Sequence, residues 1–168
     1  MRPSTSRLIP RGSRLLALLV LWMAGAASAI GAADPVGRAE PHPALSPSAV
    51  VRMQLAALAQ VDRPTRDAGL AVVWGFASPG NRSRTGPLKR FAAMIRDGYP
   101  AMLNHRTAVL APLVMDGAVA LQGVELIDRE GRRHRYVFQL SKQPDGEYRD
   151  CWMTDAVLEA PEEPEIAT

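Results

Sequence analysis

The spacing of apolar residues changes once along this chain, close to Tyr99, and that single change limits the folds it can adopt. Before Tyr99, apolar residues recur three and four positions apart, as on the buried face of a helix. After it, runs of β-favouring residues are separated by short turn sequences, which is typical of antiparallel strands. The order predicts an α+β domain with three N-terminal helices packed on a curved four-stranded antiparallel sheet.

The first predicted helix begins at Ser46-Pro47, because serine is a favourable N-cap and proline suits the first helical position. Val51, Leu55 and Leu58 then recur at the i, i+4, i+7 spacing of one apolar face. We expect this helix to end near Gln60.

The second predicted helix begins at Asp62, an N-cap residue with Pro64 in the first turn. Gly69 and Gly75 weaken this prediction, since each costs about 1 kcal/mol relative to alanine in a helix. They could instead let another element approach the backbone closely. The expected buried face comprises Leu70, Val73, Trp74 and Ala77.

The third predicted helix follows a polar Ser-Pro-Gly-Asn turn at residues 78–81. Thr85 is its predicted N-cap, Pro87 lies just inside it, and Gly98 is its predicted C-terminal stop. The expected buried face comprises Leu88, Phe91, Ala92 and Ile95.

Four strands are predicted after residue 100, and they comprise residues 104–114, residues 118–127, a strand through Tyr136, Phe138 and Leu140, and residues 148–158. Pro112 favours an edge position, or a strand end, for the first of them. Residues 128–131 and 143–146 predict turns between the last three strands. The sheet is therefore expected to be a meander.

The second strand carries an irregular apolar pattern. The apolar phase slips from Val119 and Leu121 to Val124 and Leu126, with Gly123 between the two pairs. A slip of this kind predicts a β-bulge at Gly123.

The N-terminus predicts export by the Sec route. Basic residues without acidic ones precede the apolar run Leu15–Ala24, and Ala27-Ser28-Ala29 forms a cleavage site. The run is shorter than the roughly 20 residues that span a bilayer, although an uncleaved membrane anchor is the alternative. The predicted organisation is a signal peptide at 1–29, a flexible linker at 30–46, one domain at 47–158 and a disordered acidic tail at 159–168.

Removal of the signal peptide changes the charge of the chain. The whole chain has 20 Lys and Arg against 17 Asp and Glu, and residues 1–29 hold four arginines and no acid. The mature chain then has 20 − 4 = 16 basic residues against 17 acidic ones, a net charge of −1. Because nucleic-acid binding needs a net positive surface, we predict no nucleic-acid partner. The single cysteine, Cys151, excludes an internal disulfide and is interpreted as a small buried side chain, with a reactive thiol as the alternative.

The helical half resembles a known family. The matching residues are Gln54-Leu55-Ala56-Ala57-Leu58, Phe76-Ala77-Ser78-Pro79, Asn81, Thr85-Gly86-Pro87, Phe91, Met94 and Tyr99. They resemble the bacterial and plastid family known as domain of unknown function 4864, and the resemblance covers roughly residues 48–158. The resemblance implies a cystatin-like, nuclear transport factor two-like fold, in which a curved sheet wraps around a helix and leaves a cone-shaped cavity. No catalytic residues are established for that family, so the resemblance assigns none here.

The candidate ligand-binding residues are Asn81, Arg82 and Arg84. Two guanidinium groups ahead of a helix N-terminus at Thr85 would favour an anion there, whereas the alternative is a solvated loop with Thr85 as a cap. The basic hairpin around residues 129–135 is interpreted as a solvated turn.

No cofactor or metal is predicted. The three histidines, His42, His105 and His134, lie in separate segments without a ligand spacing typical of zinc sites. Neither a P-loop nor a dinucleotide-binding glycine motif is present.

The sequence therefore predicts an exported, non-catalytic domain that binds a small apolar molecule or a protein partner, with no prediction of oligomeric state. Its membrane contact is limited to an uncleaved N-terminal segment, if that segment is retained. The alternative is a cavity enzyme of isomerase or dehydratase type, supported by analogy of fold, with Asp62, Asp97, Tyr99 and His105 as the polar residues near the cavity mouth. The aromatic residues expected to line the core or its cavity are Trp74, Phe91, Tyr99, Tyr136, Phe138 and Trp152.

Overall fold

A computed structural model describes residues 39–160 of the chain. The predicted signal peptide, most of the predicted linker and most of the acidic tail lie outside the described residues. The described elements are helices α1 (Pro47–Ala59), α2 (Ala68–Phe76), α3 (Pro79–Thr85) and α4 (Leu88–Gly98), a 3-10 turn at Pro100–Met102, and strands β1 (Thr107–Asp116), β2 (Val119–Ile127), β3 (Arg133–Lys142) and β4 (Trp152–Glu159).

The predicted α+β class is confirmed. The strands pair antiparallel in the order β1-β2-β3-β4, so the sheet is the expected meander, and the helices precede it in the chain. The described part has four α-helices where three were predicted, because residues 79–85 form a helix and not a turn. Among residues 39–160, no helix has the length and apolar character that a membrane span requires.

Helix α1 begins where its capping residues predict. The Ser46 hydroxyl accepts a hydrogen bond from the Ala49 N–H at 3.2 Å, and Pro47 is the first helical residue. Leu55 and Leu58 are buried, as predicted from their spacing. The helix therefore presents one apolar face to the core.

The predicted start of α2 is wrong. The helix begins at Ala68, since the Asp62 carboxylate accepts a hydrogen bond from the Asp67 N–H at 2.9 Å and closes a loop there instead of capping a helix. Gly69 explains the position of the helix. A Cβ on Gly69 would lie 2.3 Å from the Ala57 carbonyl oxygen, so glycine is required for the close approach of α1 and α2.

The predicted N-cap of the third helix is also wrong. Thr85 is the last residue of α3, and its hydroxyl donates to the Asn81 carbonyl oxygen at 2.9 Å. Pro87 takes the N-cap position of α4. Helix α4 buries Phe91 and Ala92 as predicted and ends at Gly98.

The predicted bulge exists, but β1 carries it. Leu110 pairs with Val124 and Leu113 with Gln122, so two residues of β1 lie opposite the single residue Gly123. Strand β2 alternates without a slip, and its inward residues are Ala120, Gln122, Val124 and Leu126. The prediction placed the bulge on the wrong strand because Gln122 is a polar residue at a core position of β2, which interrupts the apolar pattern without interrupting the strand.

Candidate functional site

The main candidate site is a pocket of about 230 Å³ between the helices and the last strand. We call it the helix–strand pocket. Its lining comprises Gln54, Val73, Ala77, Asn81, Arg84, Thr85, Phe91, Met94, Ile95, Tyr99 and residues 154–157. Met94 and Arg84 are exposed and mark its opening, whereas Gln54 and Thr154 are buried.

The walls of the helix–strand pocket are mostly apolar. Val73 of α2, with Phe91 and Ile95 of α4, forms the helical side, and Val157 of β4 lies on the sheet side. Phe91 and Val73 belong to the apolar core, so the core holds these two walls in place. Most of the pocket surface is therefore apolar, as is usual for sites that bind small molecules.

Most polar side chains around the pocket are already hydrogen-bonded to backbone carbonyls. Tyr99 donates to Val157 at 2.9 Å, Asn81 to Thr154 at 3.0 Å, and Arg84 to Asp155 at 2.9 Å. All three acceptors lie on β4. These bonds attach α3 and the end of α4 to the last strand and so fix the shape of the pocket.

Gln54 differs from these side chains because one of its polar atoms has no hydrogen-bond partner among the described residues. It was not singled out as a site residue from the sequence. Its side chain is fully buried, and its Nε2 donates to the Thr154 hydroxyl oxygen at 2.8 Å and to the Val50 carbonyl oxygen at 3.4 Å. The Val50 contact sets the amide orientation, because a rotated amide would place two oxygens against each other. In this orientation Gln54 Oε1 accepts no hydrogen bond from the described residues. The available signal was a glutamine on the apolar face of α1.

The structure brings two of the three predicted ligand-binding residues to one pocket and places the third elsewhere. All three lie within α3 rather than in a loop, and Asn81 and Arg84 line the helix–strand pocket. Arg82 instead donates to the carbonyl oxygen of Trp74 at 3.1 Å and to that of Gly75. Its guanidinium carbon also lies 4.5 Å from the centre of the Trp74 ring. Arg82 therefore caps the C-terminal carbonyls of α2.

A second concave region lies where the β2–β3 turn, the end of α4 and the end of β4 meet. We call it the hairpin groove, and its volume is about 710 Å³. Of the residues expected near a cavity mouth, Asp62 and Asp97 line this groove, whereas Tyr99 lines the helix–strand pocket. His105 is buried, with Nδ1 2.8 Å from the Met102 carbonyl oxygen, and burial lowers its pKa. The structure does not bring these four residues together.

The hairpin groove has a hydrogen-bonded pair that sequence reasoning also missed. His134 Nε2 lies 2.8 Å from the buried Asp128 carboxylate, which also accepts from the Arg132 N–H and guanidinium. Burial opposes ionisation of Asp128, but the hydrogen bonds from Arg132 and His134 outweigh it and hold its pKa well below the ordinary value. Tyr136 lines the same groove, and burial raises its pKa to about 12.

Cys151 is a small buried side chain, as interpreted from the sequence. It is buried, and burial raises the pKa of its thiol, which favours the protonated form. Within residues 39–160 no group of three or more His, Cys, Asp or Glu side chains could hold a metal ion.

The fold and the site together define an α+β domain whose helices and last strand enclose a small apolar pocket. Within this class, the profile of the family described as a domain of unknown function (DUF4864) matches residues 44–166. The chain belongs to that family, which confirms the resemblance seen in the sequence. Comparisons with curated proteins and with solved structures gave no match.

Proposed function

We propose that this domain binds a small, largely apolar molecule in the helix–strand pocket without transforming it. The observation that carries the proposal is a pocket of about 230 Å³ with apolar walls and a fully buried polar side chain, Gln54, in its lining. Apolar cavities of about 150 Å³ bind benzene in other proteins, so this volume suffices for a substituted ring or a short branched chain. Met94 and Arg84 are the exposed residues of the lining, and they would contact the outer end of the ligand.

The distribution of ionisable groups supports binding over turnover in this pocket. A catalytic pocket normally has a polar residue with a shifted pKa that faces the substrate. Asp128 and Tyr136, which have strongly shifted pKa values, line or adjoin the hairpin groove instead. The helix–strand pocket therefore offers a mostly apolar surface of defined shape, which suits binding of an apolar molecule.

Fluorine NMR with 4-fluorotoluene tests the proposal on the full chain. We expect the fluorine resonance of the probe to broaden and shift with protein concentration. Val157→Phe should abolish the effect, because Val157 lines the pocket opposite Phe138 on the inner face of the sheet and a larger side chain fills the space. Val114→Phe is the matched control, since Val114 is exposed on β1 and lies outside the pocket. Equal binding to both variants would contradict the proposal.

Proton-transfer catalysis in the hairpin groove is the second candidate function. It is favoured by the hydrogen-bonded pair of Asp128 and His134 and by Tyr136, which lines the same groove. Since the Asp128 carboxylate accepts from Nε2, the neutral His134 ring has its lone pair on Nδ1. Nδ1 would take a proton from a carbon next to a carbonyl, the C–H electrons would form an enolate, and Tyr136 would donate a hydrogen bond to the enolate oxygen.

Hydrogen exchange of a simple ketone tests the second candidate. Wild-type protein should speed deuterium uptake by cyclohexanone beyond the rate in buffer, and His134→Gln should remove the acceleration. His42→Gln is the control, because His42 lies outside the groove. An acceleration that survives His134→Gln would exclude this base.

Export is the third part of the proposal, and it rests on the N-terminal pattern of basic residues, an apolar run and Ala27-Ser28-Ala29. Mass spectrometry of the protein from an exporting host should give an N-terminus at or near Ile30. Protein that retains Met1 in the exported fraction would contradict cleavage.

A further inference from the structure

We propose that the outward face of the sheet is a dimer interface and that its partner is a second copy of this chain. We call this surface the outer sheet face. Inward side chains such as Val124 of β2 and Phe138 of β3 are buried in the core, so the residues that alternate with them point to the other side of the sheet. The central residues of the outer sheet face are Ala111, Val114, Leu121, Gly123, Val137, Gln139, Ala156 and Leu158. This inference goes beyond the proposed function and does not depend on the helix–strand pocket.

The middle of the outer sheet face is apolar across all four strands. Val114 of β1 pairs with Leu121 of β2, and Val137 of β3 pairs with Leu158 of β4. Gln139 is the only polar side chain among the eight central residues. A sheet face that remains in water normally carries polar residues at its outward positions. This face therefore has the composition of a surface that a partner covers.

The exposed apolar side chains of residues 39–160 are concentrated on the sheet. Single exposed apolar residues are common on folded proteins, whereas a contiguous group of them marks an interaction surface. Among the large apolar residues that are exposed, all but Met94 lie on strands, and these are Val109, Val114, Met115, Val119, Leu121 and Leu158.

The size of the outer sheet face suits a dimer. Its four strands have 8 to 10 residues each. At a spacing of about 4.8 Å between strands and a rise of about 3.3 Å per residue, they cover roughly 600 Å² in projection. The accessible area is larger, because side chains project from the sheet. A standard interface buries about 800 Å² on each partner, so a second copy packed on this face provides the area that a stable dimer needs.

The two ends of the sheet carry opposite charges. The end with the β2–β3 turn, residues 128–135, has four arginines and two acidic residues, a net charge of +2 with His134 neutral. At the other end, Asp116 and residues 142–150 together have four acidic and two basic residues, a net charge of −2. Two copies that are related by a two-fold axis and pack with their strands antiparallel place unlike ends together. The charge distribution therefore fits a second copy of the same face.

Sedimentation velocity on the full chain tests this proposal. Wild-type protein should form dimers at concentrations between about 1 and 100 µM. Leu121→Glu places a carboxylate in the interface twice, once from each copy, and should raise the dissociation constant at least about tenfold. Met94→Glu is the matched control, since Met94 is 38% exposed against 40% for Leu121 and lies on α4. It should dimerise as the wild type does.

Leu158→Glu provides a second test if circular dichroism shows that Leu121→Glu does not fold. It should weaken the dimer in the same way, because Leu158 is exposed on the same face. A wild-type chain that remains monomeric at about 100 µM would overturn the proposal, and a segment of the same chain would then be the remaining candidate to cover the face. An assembly that both variants leave unchanged would also overturn it, since another surface, such as the apolar run at residues 15–24, would then hold the copies together. Either failure leaves the proposed function intact.

Discussion

The side-chain amide of Gln54 donates a 2.8 Å hydrogen bond to the hydroxyl of Thr154 and so joins the first helix to the last strand across 100 residues of sequence. Both side chains are buried, and both line the helix–strand pocket. The bond therefore has two consequences. It fixes the distance between α1 and β4, and it leaves Gln54 Oε1 buried without a hydrogen-bond partner among the described residues.

A double-mutant cycle should measure how strongly the Gln54 and Thr154 side chains are coupled in the free energy of unfolding. Thr154→Val alone removes the acceptor of the Gln54 amide and should lower the free energy of unfolding by about 1–3 kcal/mol. The pair Gln54→Met with Thr154→Val replaces both partners by apolar groups and should be close to wild type or more stable. Urea unfolding measures both. A double variant that loses as much as the sum of the single variants would show that the bond is not coupled.

The two glycines of α2 should respond oppositely to alanine. Gly69→Ala places a Cβ against the Ala57 carbonyl oxygen and the Val61 backbone, and we expect a loss of about 1–3 kcal/mol. Gly75→Ala meets no atom within 4 Å and should raise helix stability by up to about 1 kcal/mol. Thermal unfolding of the two variants checks this, and similar effects from both would contradict the close packing of α1 and α2.

Replacement of Arg82 by lysine should lower the free energy of unfolding. Its guanidinium contacts two α2 carbonyls, bonds the Tyr148 hydroxyl at 3.0 Å, and lies over the Trp74 ring. Lysine keeps the charge but cannot make these planar contacts together, so Arg82→Lys should cost about 1–2 kcal/mol. Arg52→Lys on the exposed side of α1 is the control and should stay within about 0.5 kcal/mol. A wild-type midpoint for Arg82→Lys in urea would refute the capping role.

His105 should make the stability of the domain dependent on pH. Burial lowers the pKa of His105 below its ordinary value of 6.5, so the unfolded chain takes up a proton that the folded chain does not. The free energy of unfolding should therefore fall as the pH decreases from 7 to 5. His105→Gln removes the titrating group, and its unfolding free energy should change less over the same range. Parallel pH profiles for the two proteins would exclude His105 as the source.

Capping and turn residues in the sequence correctly predicted where a helix begins and where a turn lies. Ser46-Pro47 predicted the start of α1, and Gly131 has the positive φ expected of the β2–β3 turn. The helix start predicted at Asp62 was wrong because an aspartate that accepts a hydrogen bond from the Asp67 N–H cannot be distinguished in sequence from one that caps a helix. The distinction depends on where Gly69 lets α2 pack, which is a tertiary contact.

Helix α3 and the pocket could not be predicted from apolar spacing. No residue of α3 is buried, so the helix has no apolar face to detect. It is held by the Ser78 cap and by the contacts of Asn81 and Arg84 with β4. The structural role of Gln54 could not be predicted either, because the side chain that it bonds lies 100 residues away in the sequence.

The most direct test of pocket binding is a set of intermolecular nuclear Overhauser effects between 4-fluorotoluene and the full chain with labelled methyl groups. Binding in the helix–strand pocket predicts contacts from the probe ring to the methyls of Val73, Ile95 and Val157, which line it. Contacts confined to Val109 and Leu158, residues that are 65% and 58% exposed, would contradict binding in the pocket.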